Sequence, residues 1–371
     1  MRVLSVFGTR PEAIKMAPIV RRLAQAPGVT ALVCVTAQHR QMLDQVLSLF
    51  AITPDRDLDL MREGQGLTYV TTAVLERLHD VYQDLKPDRV LVQGDTTTTF
   101  AAALAAFYAK VPVAHVEAGL RTGNIHSPWP EEMNRRLTTH IADLHFPPTE
   151  TSKQNLLREG IDPARIVITG NTVIDALLDA LAILDADPAR AADIDAHLPR
   201  TDPARRLVLV TGHRRENFDG GLERVAQGLL RLAARGDVEI VYPVHLNPNV
   251  RQVAETVLRA NPAIHLIPPL DYLPFIRLMR RADLIITDSG GVQEEAPSLG
   301  KPVLVTRDTT ERPEAVEAGT VELVGTDTDR LVARANRLLD DRAAYEAMSF
   351  AHNPYGDGRA AARILESLLH G

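Results

Sequence analysis

The chain has 371 residues, of which 45% are hydrophobic and 24% charged, and its formal net charge is -7. The length favours two domains over one hydrophobic core, and the composition is typical of a globular protein. The negative charge and the 4% aromatic content argue against a nucleic-acid partner, because phosphate backbones require basic surfaces and single strands require stacking platforms.

Cysteine content and hydropathy favour an intracellular protein. Cys34 is the single cysteine, which excludes intrachain disulfides and thiolate metal clusters. The apolar run at the N-terminus is too short for a signal peptide, and the longest apolar run, residues 100–109, is too short to span a membrane. We therefore expect a cytoplasmic protein with no membrane partner.

Short β-branched runs alternate with helical stretches along almost the whole chain. Strands are predicted at residues 2–7, 31–35, 89–92, 111–116, 166–168, 207–210, 238–242, 264–267, 283–286, 302–305 and 321–324. Apolar residues at helical spacing between them predict helices such as 70–85, 222–234 and 329–339. This alternation is typical of parallel sheets with helices on both faces.

One segment, residues 185–204, interrupts the alternation because it is rich in Ala, Asp and Pro and has little periodic apolar content. We interpret it as a surface helix and linker between two halves with about five strands each. The predicted fold class is α/β, with two doubly wound Rossmann-like domains facing a central cleft. A single long sheet is the alternative.

Polar residues follow several predicted strands, at the carboxyl ends where ligands of parallel sheets bind. After the first strand, Gly8 permits a tight turn and Pro11 suits the first position of a helix, whose N-terminus attracts anions. Arg10 and Lys15 add positive charge there. A capped helix with solvated basic side chains is the structural alternative.

Three acidic residues are predicted at the same sheet edge. Asp95 follows one strand, Glu117 enters a glycine-containing loop after the next, and Glu131 opens a helix. Each alone is better explained structurally, for instance Asp95 as a helix N-cap. Together, the clustered carboxylates favour divided acid and base roles.

The second half contains the strongest local signal, residues 287–295, with sequence TDSGGVQEE. Ser289, Gly290 and Gly291 lead from a strand into a helix, so their backbone amides are suited to phosphate oxygens, and Glu295 is suited to ribose hydroxyls. A structural Gly-Gly turn is the alternative. His213 also follows a strand, beside two arginines that suit a pyrophosphate.

Several common motifs are missing. Residues 356–361 match G-x-G-x-x-A but follow no predicted strand, so we reject a dinucleotide site there. The sequence has no P-loop and no HExxH, and its histidines and cysteine lack metal-ligand spacing. We therefore expect neither NAD nor a metal as cofactor.

Nine stretches, taken together and in order, closely resemble the non-hydrolysing UDP-N-acetylglucosamine 2-epimerases. They are FGTRPEAIKMAP (7–18), QHRQMLD (38–44), QGDTTT (93–98), HVEAGLRTG (115–123), PEEMNRR (130–136), TGHRREN (211–217), TDSGGVQEEAPSLGKPVL (287–304), RDTTERPEAV (307–316) and HNPYGDG (352–358). The resemblance implies a two-domain fold of the glycosyltransferase-B type and a homodimer. It implies an N-terminal domain of residues 1–170 plus about 355–371, which carries the carboxylates, and a UDP-binding domain of residues 171–354.

The resemblance also assigns roles to individual positions. Asp95, Glu117, Glu131 and His213 match the family's catalytic residues. The positions that match UDP-sugar contacts are Arg10, Lys15, Asp95, Glu117, His213, Phe275, Ser289, Gly290, Gly291, Glu295 and Arg312. Gln38, Gln41, Arg214 and His245 resemble a site for a second UDP-N-acetylglucosamine, which acts as an activator.

The activity implied is reversible epimerisation at C2 of UDP-N-acetylglucosamine, giving UDP-N-acetylmannosamine for surface polysaccharide or cell-wall polymer synthesis. The expected route is elimination of UDP to a glycal followed by its re-addition. The alternatives are a hydrolysing epimerase, a glycosyltransferase of the same fold and a catalytically silent UDP-sugar sensor.

Overall fold

The computed structural model describes residues 1–37, 40–62 and 64–370. Its twelve strands within these ranges are β1 (Arg2–Phe7), β2 (Thr30–Val35), β3 (Arg56–Asp57), β4 (Arg89–Gln93), β5 (Val113–Val116), β6 (Leu144–Phe146), β7 (Arg206–Thr211), β8 (Val238–Pro243), β9 (Ile264–Ile267), β10 (Leu284–Thr287), β11 (Val303–Val305) and β12 (Val321–Leu323).

The α-helices of the described ranges alternate with these strands. They are α1 (Arg10–Gln25), α2 (Arg40–Leu49), α3 (Leu67–Leu85), α4 (Thr97–Tyr108), α5 (Glu131–Ile141), α6 (Glu150–Arg158), α7 (Thr172–Ala186), α8 (Pro188–His197), α9 (Gly221–Ala233), α10 (Pro248–Val253), α11 (Tyr272–Arg281), α12 (Gly290–Ser298), α13 (Pro313–Glu317), α14 (Thr328–Asp340), α15 (Arg342–Ser349) and α16 (Ala360–His370).

The chain folds into two compact units. The first comprises Met1–Ala176 and Tyr355–Gly371, and the second Leu177–Pro354. The boundary therefore falls within α7, rather than at residue 170 or in the Ala-rich segment 185–204, most of which is helical.

Each unit contains one parallel six-stranded sheet. The strand orders are β3-β2-β1-β4-β5-β6 and β12-β11-β10-β7-β8-β9, the same doubly wound order in both units. The predicted class of two Rossmann-like α/β domains is confirmed. In this order, the connections diverge between β1 and β4 and between β7 and β10, and such switch points are where ligands bind.

Apolar β-branched strands form the centre of each unit. In the first, Val6 and Val92 are fully buried with Val74 and Leu78 of α3. In the second, Val208 and Ile286 are buried with Leu229 of α9 and Leu331 of α14. Strand interiors of this kind are expected where both faces of a parallel sheet are covered.

The predicted strand at residues 166–168 is wrong. Ile166 forms only an isolated bridge to His145, which belongs to the unpredicted strand β6. Residues 144–146 are too few to give a periodic signal, and a buried histidine interrupts their apolar pattern. Residues 166–168 are β-branched, but they do not join the hydrogen-bonded ladder of the sheet.

Candidate active site

The loop after β1 begins α1 through a capping box. The Thr9 side chain accepts from the amide of Glu12, and the Glu12 carboxylate accepts from the amides of Gly8 and Thr9 at 3.0 and 2.7 Å. Arg10 is therefore the first helical residue and Pro11 the second, one position later than predicted. Arg10 is partly buried beside this cap.

Glu12 also fastens this loop to the next one. Its second carboxylate oxygen accepts hydrogen bonds from the hydroxyls of Thr96 and Thr99 at 2.6 and 3.2 Å. Burial raises the pKa of Glu12, and the hydrogen bonds oppose that rise. The carboxylate thus holds the loops after β1 and β4, on either side of the switch point, in one arrangement.

Asp95, which follows β4, does not cap α4. Thr96 is the N-cap, since its side chain accepts from the amide of Thr99. The carboxylate of Asp95 instead contacts the guanidinium of Arg135, and the Asn134 side chain donates to the Asp95 carbonyl oxygen at 2.9 Å. The N-cap interpretation of Asp95 is therefore wrong, and its carboxylate is held by Arg135 of α5.

Arg135 was not singled out from the sequence, although it lies in the PEEMNRR stretch. It joins Asp95 to the buried carboxylate of Glu132, to which it donates at 3.0 Å. Glu132 in turn accepts from the amides of Thr122 and Gly123 at 3.0 and 3.3 Å. One helical turn of α5 thereby fixes Asp95 and the loop after β5, and Glu131 is the first, partly buried residue of that helix.

Glu117, at the end of β5, is surrounded by donors. Lys15 Nζ lies 2.5 Å from one carboxylate oxygen, to which Asn171 also donates at 2.9 Å, and Gln93 donates to the other oxygen. Its backbone φ of 60° lies in the left-handed region, which costs a non-glycine residue of order 1 kcal/mol and is common at functional sites. This donor set suits an ionised carboxylate in a fixed orientation.

The three predicted acids therefore lie on one edge of one sheet. Asp95 and Glu117 follow neighbouring strands, and Glu131 begins the helix whose side chains hold Asp95. Lys15, predicted to contact UDP, is paired with Glu117, so its charge is already partly matched by that carboxylate.

In the second unit, the Ser-Gly-Gly turn starts α12 as predicted. Ser289 is the N-cap residue, and Gly290 and Gly291 occupy the first two helical positions. A Cβ on Gly290 would lie 3.2 Å from Arg312 Cζ, so glycine is what allows the guanidinium to approach the helix N-terminus. Arg312 is oriented by its bond to Glu294 at 2.8 Å. Backbone amides and a guanidinium at one helix end are suited to bind an anion.

Glu295 is bonded to α11, the helix that also carries Phe275. The hydroxyl of Tyr272, the first residue of α11, donates to Glu295 at 2.9 Å, and both residues are buried. Phe275 lies on the next turn of α11 and is partly buried.

Asp288, which sequence reasoning did not single out, connects the anion site to His213. It is 0% exposed, and one of its carboxylate oxygens accepts from the amides of His213 and Arg214, both at 2.8 Å. Its other oxygen lies 3.4 Å from His213 Nδ1. Burial lowers the pKa of His213, and the neighbouring Asp288 carboxylate acts in the opposite direction.

The residues resembling an activator site are only partly described. Gln38 lies outside the described residues, and so does the side chain of Gln41. His245 stacks on His213 with ring centroids 5.1 Å apart, and Arg214 shares Asp288 with His213. Two of the four are thus neighbours of the predicted catalytic histidine.

The described ranges also bear on membrane spans, metal ligands and a dinucleotide motif. Among the described residues, no helix is both long and apolar enough to cross a membrane, and no three His, Cys, Asp or Glu side chains are grouped as metal ligands. Residues 356–358 lie in a loop before α16, where a dinucleotide fingerprint would require a preceding strand.

Comparison with known proteins gives a consistent likeness over the whole chain. A family model described as UDP-N-acetylglucosamine 2-epimerase matches residues 21–369. The UDP-N-acetylglucosamine 2-epimerase of Escherichia coli K12 is 61% identical over 370 residues, 99% of this chain and 98% of the relative.

Solved structures agree with this likeness. A crystal structure of UDP-GlcNAc 2-epimerase from Neisseria meningitidis bound to UDP-GlcNAc superposes with a TM-score of 0.93 at 52% identity, covering 100% of both chains. The Methanocaldococcus jannaschii enzyme in complex with UDP-GlcNAc and UDP gives 0.83 at 35% identity, again over 100% of both chains.

Proposed function

The chain belongs to the UDP-N-acetylglucosamine 2-epimerase family, and we propose that it interconverts UDP-N-acetylglucosamine and UDP-N-acetylmannosamine by eliminating and re-adding UDP. As a UDP-N-acetylglucosamine 2-epimerase it is an isomerase that acts on a UDP-sugar. The route, the residue roles and the destination of the product belong to the proposal.

The elimination route follows from the substrate. The hydrogen on C2 is not adjacent to a carbonyl group, so direct removal of the proton is prohibitively slow. As the C1–O bond to UDP breaks, positive charge develops on the ring and the C2 proton becomes removable. UDP then adds back to the resulting glycal after C2 is reprotonated on the opposite face.

The observation that carries this proposal is the pair of oriented carboxylates on neighbouring strands. Glu117 is held by Lys15 and two side-chain amides, and Asp95 by Arg135 and α5. Two faces of the sugar need two proton-transfer groups, and these two, with Glu131 nearby on α5, supply them. Activation of an acceptor hydroxyl in a glycosyltransferase needs one general base, whereas epimerisation gives a role to a carboxylate on each face of the sugar.

The second unit holds the groups suited to the leaving diphosphate. The N-terminus of α12, with Arg312 beside Gly290, offers backbone amides and a guanidinium to phosphate oxygens. His213, fixed by Asp288, adds a ring nitrogen at the end of the neighbouring strand β7. These groups stabilise the charge that develops on UDP as the bond breaks.

The proposal extends to the molecular context. Elimination makes the C2 hydrogen removable without oxidising the sugar, so the proposed route uses no NAD, and we propose no metal cofactor. We place the enzyme in the cytoplasm, feeding surface polysaccharide or cell-wall polymer synthesis, with a second UDP-N-acetylglucosamine as activator near Arg214 and His245.

A homodimer is supported by an apolar surface on the first unit. Phe107 and Tyr108 at the end of α4 are 61% and 69% exposed, and Met133 and Leu137 lie exposed on α5, which packs against α4. Exposed apolar patches of this kind mark protein interfaces. Phe107→Glu should yield monomers in sedimentation velocity, and a sedimentation coefficient unchanged from wild type would contradict this surface as the interface.

Proton NMR of the purified protein with UDP-N-acetylglucosamine alone in heavy water tests the main proposal. We expect UDP-N-acetylmannosamine that carries deuterium at C2. Protium retained at C2 would exclude the elimination scheme. Free N-acetylmannosamine and UDP would indicate the hydrolysing alternative, and turnover only with an added acceptor would indicate a glycosyltransferase.

Amide variants test the assigned carboxylates. Asp95→Asn and Glu117→Gln should each reduce kcat by about 10²- to 10⁴-fold, the usual contribution of a general acid or base. Glu76→Gln, on the exposed side of α3, is the matched control and should leave kcat unchanged. Near-normal turnover in both site variants would remove these residues from the mechanism.

A further inference from the structure

Asn171 is a buried amide that takes no part in the proton transfers of the reaction scheme. It is 2% exposed and directly precedes α7, far in sequence from the strand ends that carry the acids. Its side-chain nitrogen nevertheless donates to Glu117 Oε1 at 2.9 Å. A buried neutral amide on a carboxylate orients that carboxylate without neutralising it.

The orientation of this amide is fixed by a second bond. Asn171 Oδ1 accepts from the amide of Val173 at 3.1 Å, as an N-cap side chain does at the start of a helix. Because the oxygen is committed to the helix, the nitrogen must face Glu117. The amide therefore cannot flip without losing both contacts.

The backbone of Asn171 is anchored as well. Its amide donates to the carbonyl of Tyr355 at 2.6 Å, at the point where the chain re-enters the first unit. A Cβ on Gly170 would lie 3.3 Å from the Tyr355 carbonyl oxygen and from Gly356 Cα, so only glycine allows this close packing at a φ of 85°. Asp175, one turn into α7, accepts from the amides of Ala360 and Ala361 at 3.1 and 3.0 Å.

These contacts form a continuous path from the returning C-terminal segment to the carboxylate of Glu117. We propose that Asn171 is a positioning residue for Glu117: with Lys15 and Gln93, its fixed amide sets the carboxylate orientation, and its backbone ties that orientation to the Tyr355–Gly358 segment. The inference rests on the proposed function, because it gives Asn171 its role through the proposed acid-base residue.

Two substitutions separate positioning from helix capping. Asn171→Ser retains an N-cap oxygen for Val173 but removes the donor to Glu117, since serine is as good an N-cap as asparagine. Asn171→Asp also retains the cap but places a second carboxylate against Glu117. Asn261→Ser is the matched control, because Asn261 Oδ1 accepts from the amide of Ala263 at 2.9 Å in a similar local turn of the second unit.

We expect Asn171→Ser to lower kcat by roughly 10- to 100-fold, the range for losing a hydrogen bond to a charged group, with KM and Tm close to wild type. In Asn171→Asp the two carboxylates would share a proton, so the acidic limb of the kcat profile should move by about one pH unit or more to higher pH. The control should keep wild-type kcat and pH dependence.

Two outcomes would overturn the inference. One is wild-type kcat in Asn171→Ser, and the other is an unmoved acidic limb in Asn171→Asp, which would leave Asn171 a structural cap. Glu117→Gln measured in parallel distinguishes failure of the proposed function from failure of the positioning role. Normal turnover in Glu117→Gln defeats the proposed function itself, whereas an inactive Glu117→Gln beside a fully active Asn171→Ser defeats only the positioning role.

Discussion

Asp288→Asn is the substitution that most sharply tests the anion site proposed in the second unit. The carboxylate is fully buried and accepts from the amides of His213 and Arg214, both at 2.8 Å. Asparagine fits the same space but has one acceptor oxygen and no charge. If that oxygen faces the two amides, the NH₂ group faces the ring nitrogen of His213, which lies 3.4 Å from the carboxylate in the wild type.

The expected loss of stability follows from the hydrogen bonds that the substitution weakens. Hydrogen bonds to a charged group contribute about 1.5–3 kcal/mol each, against about 1 kcal/mol for neutral pairs, so weakening two of them should lower the free energy of unfolding by about 2 kcal/mol. For a domain of this size that lowers Tm by roughly 4–8 °C. Loss of the negative charge also lowers the pKa of His213 further, because the Asp288 carboxylate acts to raise it.

Asp283→Asn is the matched control. Asp283 lies just before β10, at the opposite end from Asp288, and accepts from the amide of Leu207 at 2.8 Å. The Asp283→Asn variant should have a lower free energy of unfolding but an unchanged anion site. Calorimetric titration with UDP should show about ten-fold or greater weakening in Asp288→Asn and wild-type affinity in Asp283→Asn. Equal UDP affinity in the two variants would refute the role assigned to Asp288.

Three further predictions concern both units. Arg135→Lys should lower kcat about ten-fold or more, because lysine cannot contact Asp95 and Glu132 together. The control Arg136→Lys should keep wild-type kcat. Equal kcat values for the two variants in a steady-state assay would contradict this role of Arg135. Arg312→Ala should weaken UDP binding about ten-fold, and a Kd unchanged in calorimetry would remove Arg312 from the anion site. Burial lowers the pKa of His115 to about 4 and that of His145 to about 3, so the folded chain keeps both rings neutral while the unfolded chain takes up protons near pH 6.5. This contribution to the free energy of unfolding should be fully present above pH 6.5 and should decrease at lower pH, by up to about 1.4 kcal/mol per pH unit for each ring. His145→Gln should reduce that slope in urea titrations. Equal stability of the wild-type protein at pH 7 and pH 5 would contradict the assignment.

The sequence predicts the sheets well because each strand carries its own apolar, β-branched signal. Ten of the eleven predicted strands are present, with ends displaced by at most two residues. The failures have local causes. β3 and β6 are too short for periodicity, and residues 166–168 show that β-branched residues alone do not make a ladder partner.

The strand-end rule also predicted that Asp95 and Glu117 lie on one sheet edge, since side chains after neighbouring parallel strands meet there whatever their partners. It gave no information about those partners. Asp95 is held by Arg135 and Glu117 by Asn171, and no local pattern links residues so far apart in sequence. Capping statistics favoured Asp95 as the N-cap, but the adjacent Thr96 takes that role because Arg135 holds the aspartate.

The central claim is that the bond between C1 and the diphosphate breaks and re-forms during turnover. UDP-N-acetylglucosamine labelled with oxygen-18 in that bridging position tests it directly, because UDP released in the site can rotate its terminal phosphate before re-addition. The account predicts that phosphorus NMR of both recovered UDP-sugars will show the label moving into non-bridging positions of that phosphate. Label that stays in the bridge while UDP-N-acetylmannosamine accumulates would contradict the account.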